Sequence, residues 1–285
     1  MKTRKSIRSY KSDKPGPEDQ KKIINHINKD HKTIFNSKLR FEFIHVSGLD
    51  SGDLKNPGTY GIINGAKYFI AGIIDENRKR QYSLIDFGYV FEKIILFITD
   101  LGFGTCWLGA TFNKKGFSKR ITLKENEIIP GISPVGVKSE KRHFKGSFVR
   151  ALAGSSNRKA WDKLFFSGSF LNPLEESDCG PYRETLEMVR IAPSASNLQP
   201  WRIIKERDKN VFHFFIYRSK FYQRSLLYSN LKYVDIGITL CHFELAAAEL
   251  NLKGKWEVQD GIRENKDYNI PSNVDYVISW NGCLY

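Results

Sequence analysis

Two long apolar stretches, related by a shift of 149 positions (86 to 235), constrain this chain more than any other feature. The first runs from Asp86-Phe87-Gly88 through Phe91, Ile94, Ile95, Ile98 and Leu101, with Gly102 where a helix would stop. The second runs from Asp235-Ile236-Gly237 through Ile238, Leu240, Phe243, Ala247 and Leu250. The shift takes Phe91 to Leu240, Ile94 to Phe243, Leu101 to Leu250 and Trp107 to Trp256. It also takes Ile95 to Glu244, so the copies have diverged. Both stretches are apolar over much of a helical circumference, which predicts two helices buried at the centre of a domain. Apolar strand candidates precede them at 67–74 and 211–217. A second pair of segments, Ser12-Asp13 before Gly16-Pro17 and Ser177-Asp178 before Gly180-Pro181, opens a helical run in each part. The expected fold is α+β, built as two related halves, 1–170 and 171–285.

Composition narrows the function classes. The chain has 285 residues, 41% of them hydrophobic, enough for an ample core. No apolar run approaches the length of a membrane span, and no apolar stretch follows the basic start Met1-Lys2-Thr3-Arg4-Lys5, so neither a membrane helix nor a secretory leader is expected. Cys106, Cys179, Cys241 and Cys283 are scattered, and the six histidines show no ligand spacing. A metal site is therefore not expected, and a reducing cytoplasm fits. The net charge of +14 raises the question of nucleic acid, but the basic residues are dispersed and no helix-turn-helix, RNP or zinc pattern occurs. A nucleic-acid partner is not expected.

Chemistry concentrates in three segments. In the first, Pro181 to Arg190 reads as a short amphipathic helix, with Leu186, Val189 and Arg190 on one face and Pro181 at its first position. Pro193 stops it, and Ser194-Ala195-Ser196-Asn197-Leu198-Gln199-Pro200-Trp201 turns into an apolar run, Ile203-Ile204, suited to a strand. Alone, this is either an ordinary polar bend or one whose amides and hydroxyls face a ligand. The second segment is Arg4-Lys5-Ser6-Ile7-Arg8. It fits a frayed basic tail; if extended, period two places Arg4, Ser6 and Arg8 on one side, as a clamp for a phosphate and the polar edge of a ring. The third is 100–110, with Gly102-Phe103-Gly104-Thr105-Cys106-Trp107-Leu108-Gly109-Ala110. It is no dinucleotide fingerprint, because Trp107 stands where the third glycine would be.

Together these segments resemble the nitroreductase family. The bend is similar to its Ala-Pro-Ser-x-x-Asn-x-Gln-Pro-Trp signature, the N-terminal alternation to its Arg-x-Ser-x-Arg/Lys motif, and 102–109 to its Gly-Leu-Gly-Thr-x-Trp-Ile-Gly segment. The resemblance implies a bound flavin mononucleotide (FMN). Arg4 and Ser6 would meet its phosphate and ribityl chain, and Arg8 would lie near N1 and O2 of the ring. The backbone at Gly109 and Ala110 would approach N5, and Pro193, Ser194, Ala195, Asn197 and Gln199 would form the opposing bend. Arg158 and Lys159 match a basic pair that the family often places near the phosphate, although such pairs are also common on surfaces. The segments 161–174 and 218–229 are left open between linker and pocket.

Nitroreductases are usually homodimers with flavins at the subunit interface, so the repeat implies an intrachain pseudo-dimer built around the central helices, with the chain acting as a monomer. The halves are asymmetric. The first has the basic clamp but Lys29-Asp30-His31-Lys32-Thr33 where the bend would fall; the second has the bend but no clamp. One complete flavin site at the interface of the halves is therefore expected. The implied activity is an FMN-dependent NAD(P)H oxidoreductase working by a ping-pong cycle on a nitroaromatic, quinone or similar small acceptor. No catalytic side chain is required, because the flavin carries the chemistry. Alternatives are a flavin dehydrogenase or reductive dehalogenase on the same fold, or a flavin-binding sensor or store without turnover.

Overall fold

The structure is a computed structural model, and it describes residues 1–46, 59, 62–76, 80–140, 157–220 and 229–283. The chain divides into two units, Met1–Ser155 and Ser156–Tyr285.

The first unit contains α1 (Pro17–Ile27), β1 (Leu39–His45), β2 (Tyr68–Asp75), α2 (Arg80–Asp100), β3 (Gly104–Thr105), α3 (Lys114–Ser118) and β4 (Glu127–Gly136). Its four strands lie in the order β1-β2-β4-β3, with every pairing antiparallel. The expected strand at 67–74 is β2, and all but its last residue is buried. Helix α2 buries residues around its whole circumference, from Ser83 to Ile98, as its unbroken apolar pattern requires. Its seat on the sheet is a glycine pair. Gly72 and Gly131 lie opposite each other on β2 and β4, and a Cβ at Gly72 would stand 2.2 Å from the Phe87 ring. The missing side chains let the helix approach the strands closely.

The second unit contains β5 (Phe165–Ser167), α4 (Arg183–Arg190), β6 (Trp201–Lys205), β7 (Val211–Tyr217), α5 (Leu231–Glu249), β8 (Gly254–Glu257) and β9 (Val274–Gly282). Its sheet runs β5-β6-β7-β9-β8. Without β5, that order repeats the first unit strand for strand. The helices repeat too: α2 ends at Asp100 and α5 at Glu249, and each is followed by a left-handed residue, Gly102 (φ 87°) and Asn251 (φ 59°).

Three details differ from expectation. The divide between units falls after Ser155 rather than near 170, because β5 pairs in parallel with β6 and so belongs to the second sheet. The central helices begin at Arg80 and Leu231, so Asp86 and Asp235 lie inside them instead of at their starts. Pro181 sits in a 3-10 segment, Glu176–Tyr182, where Gly180 (φ 56°) breaks the path, so the α-helix opens at Arg183. That helix buries Thr185, Leu186, Met188 and Val189, while Arg190 stays partly exposed and pairs with Glu187 at 2.6 Å.

Candidate functional site

In the first unit the N-terminal segment is extended. Ser6 bridges Thr105 in parallel, and the Ile7 N–H donates to the Thr105 carbonyl at 2.8 Å. Farther along, Tyr10 N–H donates to the Asn64 carbonyl and Asn64 N–H to the Arg8 carbonyl. Ile7 packs on Gly104, where a Cβ would lie 2.9 Å from its side chain. Period two then sends Arg4, Ser6 and Arg8 to the other side. Arg4 Nε lies 3.8 Å from the buried Glu92 carboxylate, which also accepts from Trp107 Nε1 at 2.6 Å. Arg4 Nη1, Arg8 Nε and Arg8 Nη1 are buried with no hydrogen-bond partner among the described residues. Three desolvated guanidinium N–H groups without acceptors are costly unless an anion meets them, so the residues fit a phosphate. Leu108 is tied to Ile132 by two backbone hydrogen bonds, 3.0 and 2.9 Å, and Gly109 and Ala110 then leave the sheet half-buried.

In the second unit the bend is held from below by the central helix. The Asp235 carboxylate accepts from the Ala195 N–H at 2.9 Å. Ser196 (φ 48°), Asn197 (φ 55°) and Gln199 (φ 47°) are all left-handed, a run that costs backbone energy and needs outside support. That support comes from side chains. Ser194 Oγ accepts from the Gln199 N–H at 2.9 Å. Arg158 donates to Asn197 Oδ1 at 2.5 Å and to the Ile191 carbonyl at 2.8 Å. Gln199 is buried; its Oε1 accepts from the Lys159 N–H at 2.9 Å and its Nε2 donates to the Asn197 carbonyl at 3.0 Å.

The chain matches, over residues 1–247, the family model described as Putative TM nitroreductase. The chain belongs to that nitroreductase family. Among solved structures it is similar to a nitroreductase from Thermotoga maritima, 19% identical, with a TM-score of 0.57 over 98% of this chain and 90% of that one. An FMN-bound nitroreductase from Bacteroides fragilis is 17% identical, with a TM-score of 0.39 over 50% of this chain and 88% of that one. A Clostridium acetobutylicum protein titled an NADH oxidase is 22% identical, with a TM-score of 0.38 over 49% of this chain and 87% of that one. None of the curated proteins matches the sequence. No helix among the described residues is long and apolar enough to cross a membrane.

In this chain the expected site residues form two groups, one per unit. Ser6 pairs with Thr105 on β3, with Arg4 and Arg8 on the same extended segment, and Gly109 and Ala110 follow β3 in the chain. Pro193, Ser194, Ala195, Asn197 and Gln199 form the bend together with Arg158 and Lys159. The polar groups of Arg158 and Gln199 are engaged within the bend, so they shape it. The counterpart of the bend in the first unit is also displaced from 29–33. Asp86, the equivalent of Asp235, accepts from the N–H groups of Ile34, Phe35 and Ser37 at 2.8 to 3.1 Å, and Asn36 (φ 57°) is the left-handed residue there. Asp235 and Glu92, which hold the bend and Arg4, escaped sequence reasoning; the repeated Asp-x-Gly was visible, but only as a helix start. Of the open segments, 161–174 contributes β5 to the sheet, and most of 218–229 lies outside the described residues.

Proposed function

We propose that this nitroreductase-family chain is an FMN-dependent NAD(P)H oxidoreductase that holds one FMN, gripped by the clamp of the first unit and the bend of the second. The observation that carries this reading is the set of buried, unpartnered guanidinium N–H groups on Arg4 and Arg8. When bound, FMN supplies the redox chemistry, taking a hydride from NADH or NADPH and passing electrons to a small acceptor.

The chain's own residues bind and orient. Arg4 and Ser6 take the phosphate and ribityl chain, with Glu92 holding Arg4 from behind. Arg8 brings positive charge to the polar edge of the ring, favouring negative charge there. Gly109 and Ala110 offer backbone unobstructed by a large side chain. Residues 193–197 supply the second set of contacts to FMN, on a backbone fixed by Asp235, Arg158 and Gln199. Because donor and acceptor use the same open face in turn, the kinetics are ping-pong, and nitroaromatics and quinones are suitable test acceptors. The intrachain pseudo-dimer supplies both groups from one polypeptide, so the chain works as a monomer.

Anaerobic addition of NADH or NADPH to the FMN-loaded protein tests this reading. Loss of the flavin absorbance near its visible maximum within the dead time of manual mixing, and its return on adding a quinone, is the expected result. Bound FMN that neither coenzyme bleaches would identify a flavin store or sensor instead.

A further inference from the structure

A carboxylate-free run of the first unit spans β3 and α3. No Asp or Glu occurs between Asp100 and Glu125, while Lys114, Lys115, Lys119, Arg120 and Lys124 all fall there. All five cations are exposed, whereas Phe112, Phe117 and Ile121 of the same segment are buried in the core and Leu123 packs against it. The backbone is fixed at both ends. Asn113 Oδ1 accepts from the Gly116 N–H at 3.1 Å, the Lys119 N–H donates to the Lys115 carbonyl at 3.2 Å, and Arg40 Nη2 donates to the Thr122 carbonyl at 2.8 Å. Among the described residues, none of the five cations has a carboxylate within salt-bridge distance. Partial burial, with Arg80 adding to it, holds the Lys114 ammonium below its ordinary value. The apolar side chains anchor the segment, so its cations are not needed for folding, and at low salt they repel one another. A rigid surface of one sign attracts and steers a partner of the opposite sign.

We propose that this face, formed by α3 and the residues that follow it to Lys124, docks a small acidic protein that carries single electrons. The docking stands on first-unit charge alone; the electron transfer rests on the FMN-dependent reading given above. Three observations favour this partner over nucleic acid. The rings of the segment, Phe112 and Phe117, are buried and offer bases no stacking platform. Only Arg120 among the five carries a forked guanidinium; the lysines are hydrated point charges, suited to a transient encounter. Helix α3 has 5 residues, a length of about 7.5 Å, in keeping with the small contacts of transient redox pairs. The face also starts close to the expected flavin. The chain from Ala110 to Lys114 can span at most about 14 Å, so a docked carrier is brought to the backbone assigned to N5. Each carrier loses one electron. Two in turn supply the pair that reduces bound FMN, and the accompanying proton comes from water.

The test uses the full chain, with a small acidic two-iron ferredoxin as the probe. Affinity is read by calorimetry at low salt, first without flavin. Lys115→Glu, Lys119→Glu and Arg120→Glu together are expected to weaken binding at least about tenfold. Lys253→Glu, Lys255→Glu and Lys266→Glu together make the same change in net charge on exposed residues of the second unit, and are expected to alter binding less than about twofold. Lys115→Gln, Lys119→Gln and Arg120→Gln together are expected to give a smaller loss in the same direction, and they serve where the reversal fails to fold. In FMN-loaded protein, reduced ferredoxin is expected to bleach the flavin at least about tenfold more slowly after the first-unit reversal, while bleaching by NADH or NADPH stays within about twofold. Ferredoxin that does not bind, or equal losses in the two Glu variants, overturns the proposal. So does binding of duplex DNA or phosphatidylserine vesicles through these residues in place of ferredoxin. Ferredoxin that docks here yet leaves FMN oxidised, in protein that NADH or NADPH bleaches, overturns it too. Docking lost in the first-unit reversal alone supports the surface even where neither coenzyme bleaches FMN, so the two readings fail separately.

Discussion

The Trp107 indole donates to the buried Glu92 carboxylate at 2.6 Å. Its repeat partner Trp256 donates to Glu244, which lies one turn farther along α5 than the position equivalent to Glu92. Both units thus tie the segment after the central helix back to that helix through an indole–carboxylate contact. In the first unit the carboxylate also faces the guanidinium of Arg4. Trp107→Phe leaves Glu92 short of one donor in a buried place. It is expected to cost about 1–3 kcal/mol, read as a lower denaturant midpoint.

The clamp makes a binding prediction. Arg4→Met and Arg8→Met each remove charge-assisted donors worth about 1.5–3 kcal/mol. FMN affinity, followed by flavin fluorescence quenching, is expected to fall by about tenfold to a hundredfold in each. Riboflavin affinity is expected to change far less for Arg4→Met, because riboflavin has no phosphate. Equal losses for both ligands would contradict the role given to Arg4.

The two helix aspartates separate the bends. Asp235→Ala frees the Ala195 N–H and is expected to weaken FMN binding at least tenfold. Asp86→Ala frees three amides at 34–37 and is expected to lower stability while leaving FMN affinity of the folded protein within about twofold. An Asp86→Ala protein that folds but loses FMN would show that the first bend still serves a flavin.

Acid stability follows from half-buried histidines. His26 stacks on Phe97 at 3.8 Å, and burial, aided by His31 and Lys29, holds it down to about 4; burial lowers His31 as well. Both ionise more readily unfolded than folded. Their contribution is full above the unfolded value near 6.5 and is lost as pH falls below it, for His26 toward 4. The Glu127 carboxylate, bonded to Arg40, and the Glu206 carboxylate, bonded to His213 and Tyr268, are both lowered to about 2. Their contribution is present above about 4.5 and fades as pH falls toward 2. His26→Gln is expected to flatten the stability profile between pH 6.5 and 4 without changing the lower limb, as seen in urea midpoints across pH.

Glycine at the helix seat gives a packing prediction. Gly72→Ala places a methyl group 2.2 Å from the Phe87 ring, and the displacement is expected to cost about 1–3 kcal/mol. Gly102→Ala meets no atom within 4 Å, although it strains the left-handed φ of 87°, and is expected to cost about 1 kcal/mol.

The repeat was legible because burial on all sides leaves a periodic apolar record, and Phe91, Ile94 and Trp107 kept it across 149 positions (107 to 256). Strand β7 was legible to the residue for the same reason. The start of α2 was not, since Arg80, Gln81 and Tyr82 carry no stop signal to contrast with Asp86. Segment 161–174 stayed open between linker and pocket because β5 is only three residues long and pairs with a strand from a distant stretch. In the bend, side-chain types were visible, but the engagement of Arg158 and Gln199 within the loop depends on three left-handed residues that no local pattern announces.

The central claim is a single flavin gripped by groups from both halves. Its most direct measurement is the flavin released per chain by protein reconstituted with excess FMN and freed of unbound flavin. One FMN per chain is the predicted value, falling toward zero in Arg4→Met and in Asp235→Ala alike. Two per chain would contradict the loss of the second site, and a colourless chain that refuses FMN would remove the oxidoreductase reading altogether.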